Sequence, residues 1–263
     1  MKKIILILIT LLLTGCFNYT EINDLVLVNG IYIDYKNGLY KLKIETGEIV
    51  ESSGESLSDA FRNFEERVSK KPYYAHINIL IISKEIFKNH FDEVIEYFLR
   101  NNDIRNNFYL VVGTNMHNIK SDYIKDIITN NNDVITSCLF KNILTIYLDN
   151  KEIILPIIDN NLIKGSIKRN NNIVTELNID DTRLYKIIKS NKPNVIYQNI
   201  NIYHSKVEKY RDTLYISLDA ELKEHKDINV SKLLREDLER LLNKKIILNI
   251  DINRNGQILN DKE

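Results

Sequence analysis

Two cysteines, three prolines and eight glycines are all that 263 residues contain of each, and the formal charge is zero. Each shortage removes a class of protein. Two cysteines build no disulfide framework, and once Cys16 is given to the role argued below, Cys138 has no internal partner and reads as a small buried hydrophobe. Few prolines with 44% hydrophobic residues describe an ordinary globular chain, not a disordered one. The glycines are scattered, leaving no G-x-G-x-x-G and no G-x-x-x-x-G-K-[ST], so no nucleotide cofactor is indicated. Charge balance, with Lys interleaved among Glu, Asp and Asn, argues against nucleic acid, which selects a basic excess or stripe. His76, His90, His117, His204 and His225 lie far apart, with no H-E-x-x-H, so no metal site is read from them. A G-x-S-x-G elbow is missing too, and nothing local points to an enzyme.

The informative stretch is the first sixteen residues. Residues 4–13 are apolar except for Thr10, behind Lys2-Lys3 and ahead of Leu13-Thr14-Gly15-Cys16. A charged start, a short apolar core and small residues before a cut make a secretory signal, and a cysteine directly after the cut is what lipid attachment requires. Residues 1–15 are read as the signal peptide, Cys16 as the lipid attachment site and residues 16–23 as a lipid-proximal tether. Length disfavours a transmembrane anchor, because about ten residues at about 1.5 Å each span roughly 15 Å of a hydrocarbon core about 30 Å thick. Each buried CH₂ contributes roughly 0.8 kcal/mol, so two acyl chains would hold the mature chain on the extracytoplasmic face of a membrane without crossing it. Loss of Lys2 and Lys3 leaves 34 basic against 36 acidic residues, a mature charge of −2.

Beyond the tether, Leu25 to Ile33 reads as an extended segment broken by Asn29-Gly30. Asn37-Gly38 is a hairpin turn, and Tyr40, Leu42, Ile44 and Thr46 alternate with charged residues as a half-buried strand. Ser56 offers an N-cap to a helix burying Leu57, Ala60, Phe61, Phe64 and Val68, stopped by Lys70-Lys71-Pro72. Residues 77–82 and 108–112 read as apolar strands around a helix carrying Phe91, Val94, Ile95, Phe98 and Leu99. Such crossovers imply parallel strands covered by helices. The expectation is a multi-domain chain of α/β and α+β class. It comprises an N-terminal mixed-sheet α/β domain over 24–130, a middle α+β domain over 131–192 and a C-terminal α+β domain over 193–263. The boundaries rest on two polar runs, Asn130-Asn131-Asn132-Asp133 and Ser190-Asn191-Lys192-Pro193-Asn194.

Asp251-Ile252-Asn253-Arg254-Asn255-Gly256 has the oxygen ligands at positions one, three and five and the glycine at six that a calcium loop needs. Position twelve, however, is Lys262 where a bidentate glutamate belongs. A strand entering the segment and Asn255-Gly256 as a β-turn account for the same letters.

Taken in order, these stretches resemble the C-subunit lipoproteins of spore germinant receptors, the Ger(x)C family. The lipidated Cys16 precedes Glu21-Ile22-Asn23-Asp24-Leu25 and Gly30-Ile31-Tyr32-Ile33-Asp34, which look like the family's opening block. Ser58-Asp59-Ala60-Phe61-Arg62-Asn63, Tyr74-Ala75-His76-Ile77, and Tyr97-Phe98-Leu99-Arg100 through Ile104-Arg105 with Tyr109 follow in the family's order. Residues 165–169, Leu177 and Asp181-Thr182-Arg183 resemble a further block. Most of these read as fold determinants: Arg100 and Arg105 would bond helix-end carbonyls or pair with Asp103, and Asp181 would sit in a helix's first turn. Tyr32, Thr175 and Leu184 depart from the family's usual small residues or glycines, and relatives generally continue through a longer third domain, so residues 193–263 would be a shortened form.

The resemblance implies a subunit in the inner spore membrane, lipid-anchored through Cys16 and assembled with integral-membrane germinant receptor subunits. It implies binding and assembly without catalysis or cofactor, and without direct capture of the nutrient. The alternative reading is a lipid-tethered extracytoplasmic solute-binding protein of a transporter.

Overall fold

A computed structural model describes residues 22–114, 120–135, 137–160, 162–171, 173–222, 230–254 and 257–262, with side chains between 23 and 252. Residues 1–15, read from the sequence as a signal peptide, and Cys16, His117 and His225 lie outside the described residues.

The chain enters through β1 (Leu25–Leu27) and turns β2 (Gly30–Lys36) into β3 (Leu39–Glu45) at Asn37-Gly38. Both turn residues have positive φ, +57° and +79°, as a two-residue hairpin matching the strand twist requires. β4 (Ile49–Gly54) extends this meander, and α1 (Leu57–Glu65) returns over it. Ser56 caps α1, its Oγ accepting the Asp59 N–H at 3.1 Å, and Leu57, Ala60, Phe61 and Phe64 are buried. The helix ends at Glu65, short of Lys70-Lys71-Pro72, yet Val68 still packs on the core.

β5 (Lys71–Tyr73) then pairs with β1, and β6 (Ile79–Ile82), α2 (Lys84–Asn89), α3 (Phe91–Arg100) and β7 (Tyr109–Thr114) follow. α4 (Ser121–Asn130) and α5 (Phe140–Leu148) lead to β8 (Ile153–Asp159), β9 (Leu162–Asn170), β10 (Ile173–Leu177) and α6 (Ile179–Lys189). Eight strands form one mixed sheet in the order β10-β9-β8-β7-β6-β2-β3-β4. Its centre, β2, β6, β7 and β8, is parallel, as the crossovers imply. All four residues of β6 are buried, so both faces of the sheet are covered.

The boundary expected at 130/131 falls inside this unit. β8, β9 and β10 extend the sheet begun by β2, and one hydrophobic cluster runs from Val28 to Ile167. The polar run there is a loop turned back on itself: Asn131 donates from its backbone and side-chain nitrogens to Ile127 O, and Asp133 is taken by Arg183.

A second sheet, in the order β11-β12-β13-β14-β15, is built from β11 (Val195–Tyr197), β12 (Ile200–Tyr210), β13 (Thr213–Leu222), β14 (Lys245–Arg254) and β15 (Gln257–Lys262). α7 (Val230–Leu242) supplies the crossover that makes β13 and β14 parallel. β11 and β12 are separate strands because Gln198, at φ +52°, reverses the chain between them. Asp251 and Asn253 of the calcium-like segment are ladder residues of β14 opposite Asn260 and Ile258, which is the hairpin reading of those letters; residues 255–256 lie outside the described residues. This sheet has its own core, which includes Leu184 and Ile187 of α6. α6 thus serves both units, with Thr182 and Leu184 each almost wholly buried on different sides.

Candidate functional site

Gly165, Leu177 and Asp181-Thr182-Arg183, separate in sequence, meet where β10 becomes α6. β9 carries a bulge: Ile157 of β8 pairs with Gly165 and Ile158 with Ile163. Gly165 has φ +134°, and a Cβ there would lie 2.0 Å from Leu177 O and 2.8 Å from the carbonyl carbon of Asn178. Only glycine lets the two segments approach this closely. Asn178 then caps α6, its Oδ1 accepting the Asp181 N–H at 2.8 Å. Thr182 Oγ1 donates to Asn178 O at 2.7 Å, leaving the Ser166 hydroxyl, 2.9 Å away, to donate to Thr182.

Charges extend the joint outward. Arg183 reaches Asp133 at 2.8 Å and Asp180 at 3.3 Å. Asp181, in the first turn as expected, is met by Arg240 of α7 at 2.9 Å, and Arg240 lies 3.6 Å from Asp237. Asp237 in turn accepts from the Tyr197 hydroxyl of β11, whose pKa is raised by burial and by that bond. Two sets of polar contacts that meet on α6 therefore tie it to the loop after α4 on one side and to α7 and β11 on the other. Chemically this is a fixed coupling between the two sheets, with its nearby groups already engaged.

The residues of the earlier blocks line an open groove of about 700 Å³ between the start of α1 and the end of α3, among them Ser58, Tyr97, Arg100 and Asp103. Tyr97 stacks on Phe61 with ring centroids 4.6 Å apart, and burial raises its pKa. Arg100 pairs with Glu96 at 3.1 Å, one turn back, in place of Asp103 or a helix-end carbonyl, and Arg105 is exposed. The turn is held instead by Asn101, whose Oδ1 accepts the Asp103 N–H at 3.1 Å. Elsewhere His90 Nδ1 stands 3.1 Å from Glu93 Oε1 and 3.2 Å from the Tyr40 hydroxyl, with its ring 4.0 Å from that of Tyr35.

Cys138 is 2% exposed, and burial pushes its thiol up to about 12, so it stays protonated at neutral pH as a core hydrophobe. Among the described residues no three His, Cys, Asp or Glu side chains gather as metal ligands, and no helix is long and apolar enough to cross a membrane.

Comparison with known proteins adds to this geometry. The family described as the spore germination protein N-terminal domain matches residues 18–160. Spore germination protein KC of Bacillus subtilis (strain 168) is 24% identical over a 148-residue alignment that takes in 48% of this chain and 36% of that protein. The match thus spans about a third of that relative's length. The crystal structure of the GerBC protein aligns with a TM-score of 0.43 at 13% identity, covering 81% of this chain and 79% of that one.

Proposed function

Because the chain belongs to the spore germination Ger(x)C family, we propose that it is the lipid-anchored C subunit of a nutrient-germinant receptor, held by Cys16 on the extracytoplasmic face of the inner spore membrane. It acts by binding and assembly with integral-membrane receptor subunits and performs no catalysis. The observation that carries this reading is the order of two features: a lipobox ending at Cys16, and a family domain that begins at residue 18. A body whose first strand begins at Leu25, nine residues after Cys16, is confined to the plane of the membrane, which raises its effective concentration beside membrane partners so that modest contact surfaces suffice. The polar coupling through α6 supports a rigid two-sheet body presenting such surfaces.

The test is co-purification. Detergent-solubilised spore membranes carrying a tagged chain should yield two multi-span subunits in fixed ratio, and a Cys16→Ala chain should lose them together with the nutrient response. Recovery of the chain alone from wild-type membranes would contradict the assembly. Equilibrium dialysis separates the alternative: tight binding of an amino acid or sugar to the purified chain would move it to the solute-binding class, and no binding is expected.

A further inference from the structure

The parallel strands of the first sheet give the molecule two ends. Gly30, Ile79 and Tyr109 are in register, and Ile154 stands opposite Lys168, so the starts of β2, β6, β7 and β8 mark one end. β1 enters there, directly after Asn23-Asp24, with the Lys70 ammonium bonded to Asn23 O.

α6 runs toward this same end, because Ser166 meets Thr182 near its start while Glu152, just ahead of β8, meets Lys189 at its finish. Around that finish the lysines gather. Lys168 and Lys189 lie 5.3 and 5.4 Å from the Tyr185 ring and share one acid, Glu152, at 3.9 and 3.5 Å. Lys186 donates to the carbonyl of Asn132 and is desolvated there, with the Asp133 carboxylate acting on it from nearby, and Lys192 is exposed on the linker. Lys151 is matched by Asp149 at 2.7 Å. Lys151, Lys186 and Lys189 line an apolar hollow of about 530 Å³ with Ile146, Ile154 and Tyr185, and together with Lys168 beside Tyr185 and Lys192 on the linker they set five lysines against three carboxylates, Glu152, Asp149 and Asp133.

β12 adds a second element. Tyr197 lies beside α7 and the start of α6 through Asp237, Arg240 and Asp181, so β11 runs back along α6 and β12 runs with it. The Ser205 N–H bonds Asn191 O on the linker, and β12 continues past that point for five residues. Its tip carries Lys209 and Tyr210, the latter 62% exposed, with the Arg211 guanidinium 5.4 Å from the Tyr210 ring; Asp212 shares the turn with Arg211, Glu208 is matched by Lys206 at 2.7 Å, and Lys245, opposite Thr213, opens the neighbouring strand and leaves the tip with a cationic excess. An apolar hollow rimmed by cations, and a projecting tyrosine flanked by cations, are the pairing of groups that an anionic bilayer surface accepts.

We propose that this end of the molecule is a second membrane contact, in which the Lys186–Lys192 segment and the β12–β13 tip bind anionic phospholipid headgroups. Its orientation rests on the lipid-anchor reading: β2 and β8 are three strand spacings apart, about 15 Å, so tether and lysines can meet one bilayer together. A single lipidated residue leaves a body free to swing, and a second contact fixes which faces are turned up toward partner subunits.

The test reconstitutes the lipidated full-length chain into vesicles of phosphatidylglycerol and phosphatidylethanolamine or of phosphatidylcholine alone, and reads lysine acetylation rates by mass spectrometry. Lys189, Lys192 and Lys209 should label severalfold more slowly on the anionic vesicles, and high salt should abolish the difference. Lys36 and Lys88, at the other end, should label equally on both. A Lys189→Glu/Lys192→Glu/Arg211→Glu variant with an unchanged circular dichroism spectrum should lose the protection at Lys209. Flotation with phosphatidylcholine vesicles reports the anchor separately: flotation with equal labelling on both lipids overturns the second contact and leaves the anchor standing. Failure to float there, with protection kept on anionic lipid, overturns the anchor alone. Protection found only in native membranes with the partner subunits, and absent on anionic vesicles, overturns the contact in favour of an acidic protein surface.

Discussion

Replacing Gly165 with alanine puts a methyl carbon 2.0 Å from Leu177 O, where real contacts stay beyond 3.0 Å, so the β10–α6 link has to retreat by about 1 Å. The link is backbone held by the Asn178 cap and the buried Ser166–Thr182 bond, so it gives little. Overpacking of this kind costs about 1–3 kcal/mol. An L side chain held at φ +134° costs about 1–3 kcal/mol more. The expected loss is about 4 kcal/mol, which lowers the melting temperature by about 10 °C in a chain of this size. Gly38→Ala is the control: its φ is +79° and nothing lies within 4 Å of the added carbon, so only the backbone cost of about 1 kcal/mol applies. Urea and thermal denaturation of the two variants should therefore differ by about 3 kcal/mol. Hydrogen exchange in β11 should quicken in Gly165→Ala alone, because α6 carries Leu184 and Ile187 into the second core. Equal destabilisation by the two alanines would refute the close approach assigned to Gly165.

Asn178→Ala removes the α6 cap and should cost about 1 kcal/mol in urea titrations, with Asn178→Asp retaining most of it; an alanine variant as stable as the parent would deny the cap. A thiol reagent at pH 8 should leave Cys138 unmodified in the folded protein and modify it promptly in urea, given a thiol held at about 12 by burial. The Arg169 guanidinium hydrogen-bonds Asp92, at 3.0 and 3.2 Å, and holds its carboxyl below the ordinary value of 3.8. A lowered folded-state pKa stabilises above the ordinary carboxylate range and is lost as the pH falls through the folded value. Arg169→Gln should therefore show a shallower loss of stability below about pH 4, and an unchanged acid limb would contradict the pairing.

Where the sequence carried a local signal, the fold was legible. Asn37-Gly38 set the first hairpin, Ser56 started α1, and the apolar runs at β6 and β7 announced parallel strands. What it hid had weak local chemistry. β4 reads Ile-Val-Glu-Ser-Ser-Gly, and half of that favours a loop; α2 is only six residues long. α5, Phe-Lys-Asn-Ile-Leu-Thr-Ile-Tyr-Leu, is apolar on too many sides to show a helical period. Two adjoining turn residues, Gln198 and Asn199, gave no sign that β11 and β12 are separate. The polar run at 130–133 suggested a boundary because four such residues bury nothing, yet sheet pairing across it is a long-range property that no window reveals. The same holds for the lysines around Tyr185. They come from β9, α6, the linker and the approach to β8, so interleaved charge in the sequence becomes a one-sided cluster only in the fold. The α6 joint was half visible: Asp181 stood where a helix start favours a carboxylate, while its partner Arg240 is 59 residues away.

Intact-mass and peptide spectrometry of the chain purified from spore membranes would show whether a lipid on Cys16 holds this body to a membrane. The expected result is a mature N-terminus at Cys16 with a diacylglyceryl thioether and no trace of residues 1–15. A membrane-bound chain beginning at Met1, or a free thiol at Cys16, would contradict it.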